Sequence, residues 1–78
     1  MPAQAYILIQ TEVGAAARVA QEICAIPGVV LAEHLHGTYD VIVRAESDNH
    51  DDLNRDVLTK IQHVKGITRT QTCPVVHD

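Results

Sequence analysis

The stretch of sequence that decides the fold is VVLAEHLHGTYDVIVRAE, residues 29–46. It contains two segments rich in β-branched and apolar residues, 29–36 and 39–46, which read as strands. Gly37 and Thr38 leave only two residues in which the chain can reverse direction, and so short a connection joins antiparallel strands. The sequence therefore predicts a β-hairpin in the middle of the chain.

On the amino-terminal side of this hairpin, the sequence predicts one strand and one helix. Residues 5–11, AYILIQT, carry no charge and are rich in residues that favour strands. The next segment changes to helical spacing, with apolar residues at Ala16, Val19, Ala20, Ile23 and Ile26. Pro27 and Gly28 end this helix, because proline disfavours a helical residue before it and glycine permits the turn.

On the carboxyl-terminal side, the sequence predicts a second helix and a last strand. Ser47 or Asp48 is expected to cap the helix, and the acidic residues just after them suit the positive end of its dipole. Apolar residues then recur at Leu53, Val57, Ile61 and Val64. Gly66 is expected to end the helix, and residues 67–76 read as the last strand.

Two βαβ halves of similar length make up the chain. Each half ends its helix and begins its next strand in the same manner, with IPGV at 26–29 and VKGI at 64–67. The order β-α-β-β-α-β predicts an α+β fold, the ferredoxin-like sandwich, with a four-stranded antiparallel sheet and two helices on one face. Strands one and three read as apolar on both faces. We therefore expect the uncovered face to pair with another sheet, giving a homo-oligomer of the dimeric α+β barrel type.

The composition argues against several classes of protein. Seventy-eight residues suffice for one domain only, so residues 1–78 are expected to form a single unit. The net charge of −4 and the six scattered lysine and arginine residues do not favour direct nucleic-acid binding. No apolar run approaches the roughly 20 residues of a membrane helix, and no leader peptide is evident, which predicts a cytoplasmic protein.

Sequence motifs for catalysis are also missing. The glycines stand singly, so there is no phosphate-binding loop, and neither cysteine has a neighbouring base. Cys24 is expected on the buried side of the first helix and Cys73 near the end of the last strand, both as free thiols. We therefore predict a protein that is not an enzyme and requires no cofactor.

His34 and His36 alternate along the predicted second strand, so their side chains project from one face about 6.5 Å apart. Such a pair is suited to a metal ion, but zinc sites use three or four protein ligands. The candidates that could complete a site are Asp40, His50, His63, Cys73 and His77. None stands at a recognised spacing, so we predict no metal site and keep a histidine-based metal-binding protein as an alternative.

The corner of the hairpin is polar and consists of Gly37, Thr38, Tyr39 and Asp40. An ordinary turn would explain it, because glycine supplies the backbone geometry and aspartate binds neighbouring backbone amides. In the last strand, however, Thr68, Thr70 and Thr72 would line one face, and hydroxyls at an interface need hydrogen-bond partners. A polar corner beside a row of hydroxyls, at the rim of an apolar dimer, suits a small zwitterionic ligand. The residues alone leave both interpretations open.

Three segments of this sequence resemble one known family: IPGVV at 26–30, GTYDVIV at 37–43 and VKGITRTQTCPVV at 64–76. Together they are similar to the ligand-binding, or RAM, domain of the Lrp/AsnC family of bacterial transcriptional regulators, over essentially the whole chain. The resemblance implies a ferredoxin-like fold whose dimers pair face to face and assemble further, up to octamers or larger. It also implies amino-acid binding between subunits, and hence a regulatory module that senses an amino acid in the control of metabolism.

The resemblance also points to individual residues. The family's glycine-x-aromatic-aspartate corner matches Gly37, Tyr39 and Asp40, and its threonine-bearing last strand matches Thr70 and Thr72. The predicted ligand-binding residues are His36, Gly37, Thr38, Tyr39, Asp40, Thr70 and Thr72. Of these, His36 falls where the family has no fixed residue type, and it would tune which ligand fits.

Family members usually carry an amino-terminal helix-turn-helix that binds DNA, whereas this chain begins almost at its first strand. We therefore expect a stand-alone version, complete from Met1, that senses an amino acid and co-assembles with full-length regulators of the family or signals to another partner. An alternative on the same scaffold is a small cofactor-free monooxygenase or isomerase. Such an enzyme would need a deep pocket between sheet and helices, with His34 or His36 as its titratable group.

Overall fold

A computed structural model describes residues 2–76 and shows one sheet covered on one side by helices. The strands are β1 (Ala3–Thr11), β2 (Val29–His34), β3 (Val41–Ser47) and β4 (Ile67–Pro74). Their order across the sheet is β2-β3-β1-β4, and every neighbouring pair is antiparallel. This arrangement confirms the predicted ferredoxin-like fold, in which the two central strands come one from each half of the chain.

Helix α1 (Ala16–Cys24) follows β1, and helix α2 follows β3. Helix α2 is a continuous run of an α-helical turn (His50–Asp52), a π-helical segment (Leu53–Leu58) and a further α-helical turn (Thr59–Gln62). Apolar residues at a spacing of four drift by about 40° per step around an α-helix, and the wider π turn compensates for this drift. The π segment thus keeps Leu53, Val57 and Ile61 on the buried face. Within residues 2–76, no helix is both long and apolar enough to cross a membrane.

The core lies between the sheet and the two helices. Its largest buried side chains are Ile7 and Ile9 of β1, Val41 and Val43 of β3, Val19 and Ile23 of α1, and Leu53, Val57 and Ile61 of α2. Burying each such side chain contributes about 1.5–3 kcal/mol relative to leaving it in water. Among the residues that the structure describes, no polar or charged residue is buried. The predicted apolar stripes of the two helices are therefore confirmed. Their packing against the sheet fixes the positions of the loops at its ends.

The amino-terminal cap of α2 is Asn49, and the prediction of Ser47 or Asp48 is wrong. Asn49 has an extended backbone, and its side-chain oxygen accepts a hydrogen bond from the Asp52 amide at 2.8 Å. Ser47 is not available as a cap because β3 extends through it, where it pairs with Ala3 of β1. The helix consequently starts later than the sequence pattern indicates.

The connection between β2 and β3 is longer than predicted. The two strands pair antiparallel as expected, but β2 ends at His34 and β3 begins only at Val41. The Leu35 amide donates a hydrogen bond to the Asp40 carbonyl oxygen at 2.7 Å, which closes the loop at its base. The residues between these two form the tip of the loop, so the turn is not made by Gly37 and Thr38 alone.

The register of β4 corrects the predicted position of its threonines. Thr70 lies opposite Ile9 and Thr72 opposite Ile7, and both isoleucines are buried beneath the helices. Residues directly opposite each other in antiparallel strands share one face of the sheet. Thr70 and Thr72 therefore lie on the helix side, and the prediction that they line the uncovered face is wrong. A shift of one residue in register moves every side chain to the other face, and the sequence pattern of β4 does not specify that register.

The uncovered face of the sheet is apolar only in part. Its apolar side chains are Tyr6 and Leu8 of β1, Ile42 of β3, Leu31 of β2 and Cys73 of β4. In β3, Arg44 and Glu46 follow on the same face, and Glu46 accepts a hydrogen bond from the Gln4 side chain at 2.5 Å. The prediction of strands that are apolar on both faces thus holds for the middle of β1 and only for the start of β3.

Candidate functional site

The polar corner of the hairpin is fastened to the end of β1 by two hydrogen bonds of Asp40. Its backbone amide donates to the Ile9 carbonyl oxygen at 2.8 Å, and its carboxylate Oδ2 accepts from the Thr11 amide at 2.8 Å. The carboxylate keeps capacity for further donors, because an ionised carboxylate offers about four acceptor positions. Asp40 therefore both holds the corner and presents a negative charge beside it.

The same corner is held from the uncovered side of the sheet by side chains of β1 and β4. The Gln10 side chain donates through Nε2 to the Thr38 carbonyl oxygen at 2.9 Å, and the Tyr39 hydroxyl donates to Oε1 of Gln71 at 2.6 Å. The Thr68 hydroxyl donates to the Gln10 carbonyl oxygen at 3.2 Å. The first two bonds tie the loop to β1 and β4, so the loop cannot move away without breaking them, and the third joins β4 to β1 beside them.

A groove of about 350 Å³ opens beside Asp40, between the corner and the start of α1. It is lined by Thr11, Glu12, Val13, Gly14, Ala16, Ala17, His34 and Asp40. The cap residue of α1 is Ala15, whose side chain makes no hydrogen bond to the helix. The first-turn amides of α1 therefore receive no hydrogen bond from the side chain of their cap residue. The groove thus brings two acidic groups, which attract a cation, close to a helix amino terminus, which attracts an anion.

The structure brings only some of the predicted site residues together. Gly37 and Thr38 are exposed at the tip of the loop, next to the half-buried Tyr39 and Asp40. His36 is exposed, and its ring stacks on that of His34, with centroids 5.8 Å apart. Two further predicted residues, Thr70 and Thr72, lie on the helix side of β4 and do not line the groove.

Sequence reasoning missed three residues that hold the corner: Gln10, Thr11 and Gln71. Thr11 acts through its backbone amide, which leaves no signature in the sequence. The sequence indicates Gln10 and Gln71 only weakly, as polar residues within strands; in the structure both face away from the helices. Their partners could not be inferred, because the hydrogen bonds join residues far apart in the chain.

The metal and enzyme alternatives each need particular side chains placed together in the fold. Among residues 2–76, no three histidine, cysteine, aspartate or glutamate side chains lie together, as closed structural and catalytic zinc sites require, and His77 lies outside the described residues. Cys24 is exposed, so its predicted place on the buried side of the helix is wrong. The enzyme alternative needs a titratable group between sheet and helices, and in residues 2–76 this interior is built from apolar residues.

Residues 4–78 match the family model described as the Lrp/AsnC ligand binding domain. An uncharacterised HTH-type transcriptional regulator of Pyrococcus horikoshii is 31% identical over 54 residues, which are 69% of this chain and 36% of that protein. A similar regulator of Pyrococcus abyssi is 29% identical over 55 residues, 70% of this chain and 37% of that protein. This chain therefore spans well under half the length of the curated relatives that it matches.

Solved structures share the fold. A hypothetical protein from Pyrococcus horikoshii has a TM-score of 0.87 at 32% identity, covering 97% of this chain and 92% of that one. AsnC from E. coli has a TM-score of 0.85 at 19% identity, covering 97% and 52%. A transcriptional regulator from Neisseria meningitidis, solved in complex with L-Met, has a TM-score of 0.77 at 20% identity, covering 97% and 51%. With the sequence match extending over residues 4–78, this chain belongs to the Lrp/AsnC ligand-binding domain family.

Proposed function

We propose that this chain is a regulatory module that binds a free amino acid and acts in the control of transcription in the cytoplasm. The family match and the HTH-type regulators among its relatives support the regulatory role. The complex of the Neisseria meningitidis regulator with L-Met supports an amino acid as the ligand class. The observation that carries the proposal is the groove beside Asp40, where two carboxylates and the amino-terminal end of α1 face one small space.

The two charged ends of an amino acid match the two ends of this groove. Asp40, whose position is fixed by the Thr11 amide, would bind the ammonium group, with Glu12 as a second acidic neighbour. Backbone amides of the first turn of α1 would supply donors for the carboxylate. The amides of Gly37 and Thr38, which lie at the loop tip and not in the groove lining, would contribute only to a ligand that extends toward the tip. Hydrogen bonds to charged groups contribute about 1.5–3 kcal/mol each, so these contacts suffice to fix the orientation of a small ligand.

The remaining residues would select the ligand's side chain. Val13, Ala16 and Ala17 give the groove an apolar wall, which suits an apolar amino acid. His36 stands at the entrance through its contact with His34, where it would influence which side chain fits. The other two predicted binding residues, Thr70 and Thr72, lie on the helix side of β4 and away from this groove, so the proposed site does not use them.

We further propose that the chain works as a homo-oligomer built from dimers, with the uncovered face of the sheet as the contact between two copies. Tyr6 on this face is 40% exposed, and Leu8 and Ile42 remain half-buried. The Nε of Arg44 is buried and has no hydrogen-bond partner. A buried donor without a partner costs free energy, and rearrangement of the Arg44 side chain against a second sheet would give this donor an acceptor. Larger assemblies, including mixed ones with full-length regulators of the family, would bring the grooves of several copies together.

A thermal-unfolding screen against the twenty amino acids tests the binding proposal. A ligand at one hundred times its Kd stabilises the folded state by about 2.7 kcal/mol, which raises the Tm of a domain of this size by roughly ten degrees or more. We expect one or more apolar amino acids to give such a shift. Asp40→Asn keeps an acceptor for the Thr11 amide but removes the charge, so it should abolish the shift.

The matched control is Asp51→Asn, because Asp51 is an exposed carboxylate at the start of α2, away from the groove. This variant should respond to the same amino acids as the unchanged protein. A protein whose Tm responds to no amino acid would contradict the proposed ligand class. A shift that survives Asp40→Asn would contradict the proposed site.

A further inference from the structure

His34 and His36 stand side by side where β2 ends and the hairpin loop begins. Their rings stack with centroids 5.8 Å apart and planes inclined by 25°. Both residues are exposed, so a solvated ion has access to their ring nitrogens. The two other histidines of the described chain, His50 and His63, lie at opposite ends of α2. His34 and His36 are therefore a local pair of imidazoles, two residues apart in the chain.

We propose that His34 and His36 together bind a divalent transition-metal ion such as Ni²⁺, Cu²⁺ or Zn²⁺. Imidazole nitrogen is a preferred ligand for these ions. With metal–nitrogen distances of about 2.0–2.1 Å and a tetrahedral angle at the metal, the two ring centroids would lie roughly 5 Å apart. The observed separation of 5.8 Å is close to this value, and the stacked rings would have to turn their nitrogens toward a common ion. The outer side-chain torsion of histidine is broad, so this rotation is inexpensive.

The ion would have two protein ligands and an open remainder of its coordination sphere. No group of three or more suitable side chains is gathered within residues 2–76, so water completes the coordination. Other ligand types do lie on both sides of His34, since it lines one groove with Cys24 and another with Glu12 and Asp40. A site of this kind exchanges its metal readily, unlike the closed four-ligand sites that hold a fold together.

Metal binding at this pair would act on the neighbouring ligand site. His34 lines the groove beside Asp40, and His36 directly precedes Gly37 in the loop. An ion that joins the two rings fixes the direction in which the chain enters the corner. This regulatory consequence rests on the proposed amino-acid binding, whereas the metal site rests only on the geometry of the two histidines.

Isothermal titration calorimetry of the untagged protein with Ni²⁺ tests the metal site. Loss of a hydrogen-bonding partner of a ligating histidine already lowers metal affinity roughly 10-fold to 100-fold. Loss of one of only two direct ligands should cost at least as much, so we expect His34→Ala and His36→Ala each to weaken binding by about tenfold or more. His50→Ala and His63→Ala are the matched controls, and their affinity should equal that of the unchanged protein.

Amide spectra recorded by NMR during the same titration locate the ion, because paramagnetic Ni²⁺ broadens nearby signals. Broadening should centre on residues 34–37 in the unchanged protein and require about tenfold more Ni²⁺ or more in His36→Ala, whose other signals report an intact fold. Equal losses of affinity in the controls would overturn the proposal, as would broadening centred elsewhere or an absence of Ni²⁺ binding. These outcomes are independent of the amino-acid screen, so each hypothesis can fail alone.

Discussion

The Tyr39 hydroxyl donates a hydrogen bond to the Gln71 side chain at 2.6 Å, which connects the loop before β3 with β4 across the intervening strand β1. On the other side of the loop, the Asp40 carboxylate accepts a hydrogen bond from the Thr11 amide. The corner is therefore held at two successive residues, one by a side chain of β4 and one by the backbone of β1. A binding site built on it is fixed in position before any ligand arrives, which lowers the entropic cost of binding.

Removing the Tyr39 hydroxyl tests how much this contact contributes. Tyr39→Phe should lower the free energy of unfolding by about 0.5–1.5 kcal/mol, the usual net value of a hydrogen bond, and we expect the lower end because the pair is exposed. It should also speed amide hydrogen exchange in residues 35–40. Tyr6→Phe, at the other tyrosine of the chain, is the control and should leave exchange in this loop unchanged. Equal exchange rates in both variants would show that Tyr39 does not anchor the corner.

Gly28 and Gly14 both adopt a positive φ, of 97° and 81°, but differ in their surroundings. A Cβ at Gly28 would lie 2.6 Å from Cγ2 of Val57 and 3.1 Å from the Glu46 carbonyl oxygen, whereas a Cβ at Gly14 would meet nothing within 4 Å. Either alanine costs about 1–2 kcal/mol for its backbone conformation. Gly28→Ala adds the strain of overpacking, typically about 1–3 kcal/mol.

Urea denaturation should therefore show a clearly larger loss of stability for Gly28→Ala than for Gly14→Ala. The physical cause is the close approach of the turn after α1 to Val57 in the π-helical segment of α2. Equal losses in the two variants would mean that this contact is loose enough to accommodate a methyl group.

The cap of α2 gives a third prediction. Asn49→Ala removes the side-chain acceptor of the Asp52 amide and should lower stability by about 1 kcal/mol. For a domain of this size the Tm should fall by roughly 4–8 °C. Asp48→Ala is the matched control, since Asp48 is the neighbouring residue that the sequence suggested as a cap. If Asp48→Ala were the more damaging change, the assignment of the cap to Asn49 would be wrong.

The fold could be predicted from the sequence because its signals are local and repeated. The alternation of Ile7 and Ile9 and the helical spacing of Val19 and Ile23 each identify an element without reference to the rest of the chain. The ends of elements were less predictable, because they depend on individual hydrogen bonds. The hydrogen bond from the Leu35 amide to the Asp40 carbonyl oxygen closes the hairpin loop, for example, and no pattern of residue types predicts that bond.

The candidate site was only partly predictable, because its contacts join distant parts of the chain. Asp40 and Tyr39 could be singled out from the polar corner and the family resemblance. Their partners could not, since Thr11 uses its backbone and Gln71 lies 32 residues from Tyr39. The side on which Thr70 lies depends on the register between β4 and β1, and a strand whose residues alternate between polar types does not determine its own register.

The apolar part of the uncovered sheet face predicts that a charge placed there will weaken association between copies of the chain. Leu8 lies near the middle of this face, opposite Ile42 of β3 and Gln71 of β4. If two such faces pair, Leu8→Glu would bury a charge from each copy without a partner, which is strongly unfavourable. Size-exclusion chromatography with light scattering should therefore show smaller particles for Leu8→Glu than for the unchanged protein.

The control for this variant is Ala25→Glu, which introduces the same charge at the exposed end of α1 and should leave the particle mass unchanged. Circular dichroism establishes that both variants keep their secondary structure, so that a change in mass reports association and not unfolding. If Leu8→Glu assembled like the unchanged protein, the contact between copies would have to lie elsewhere.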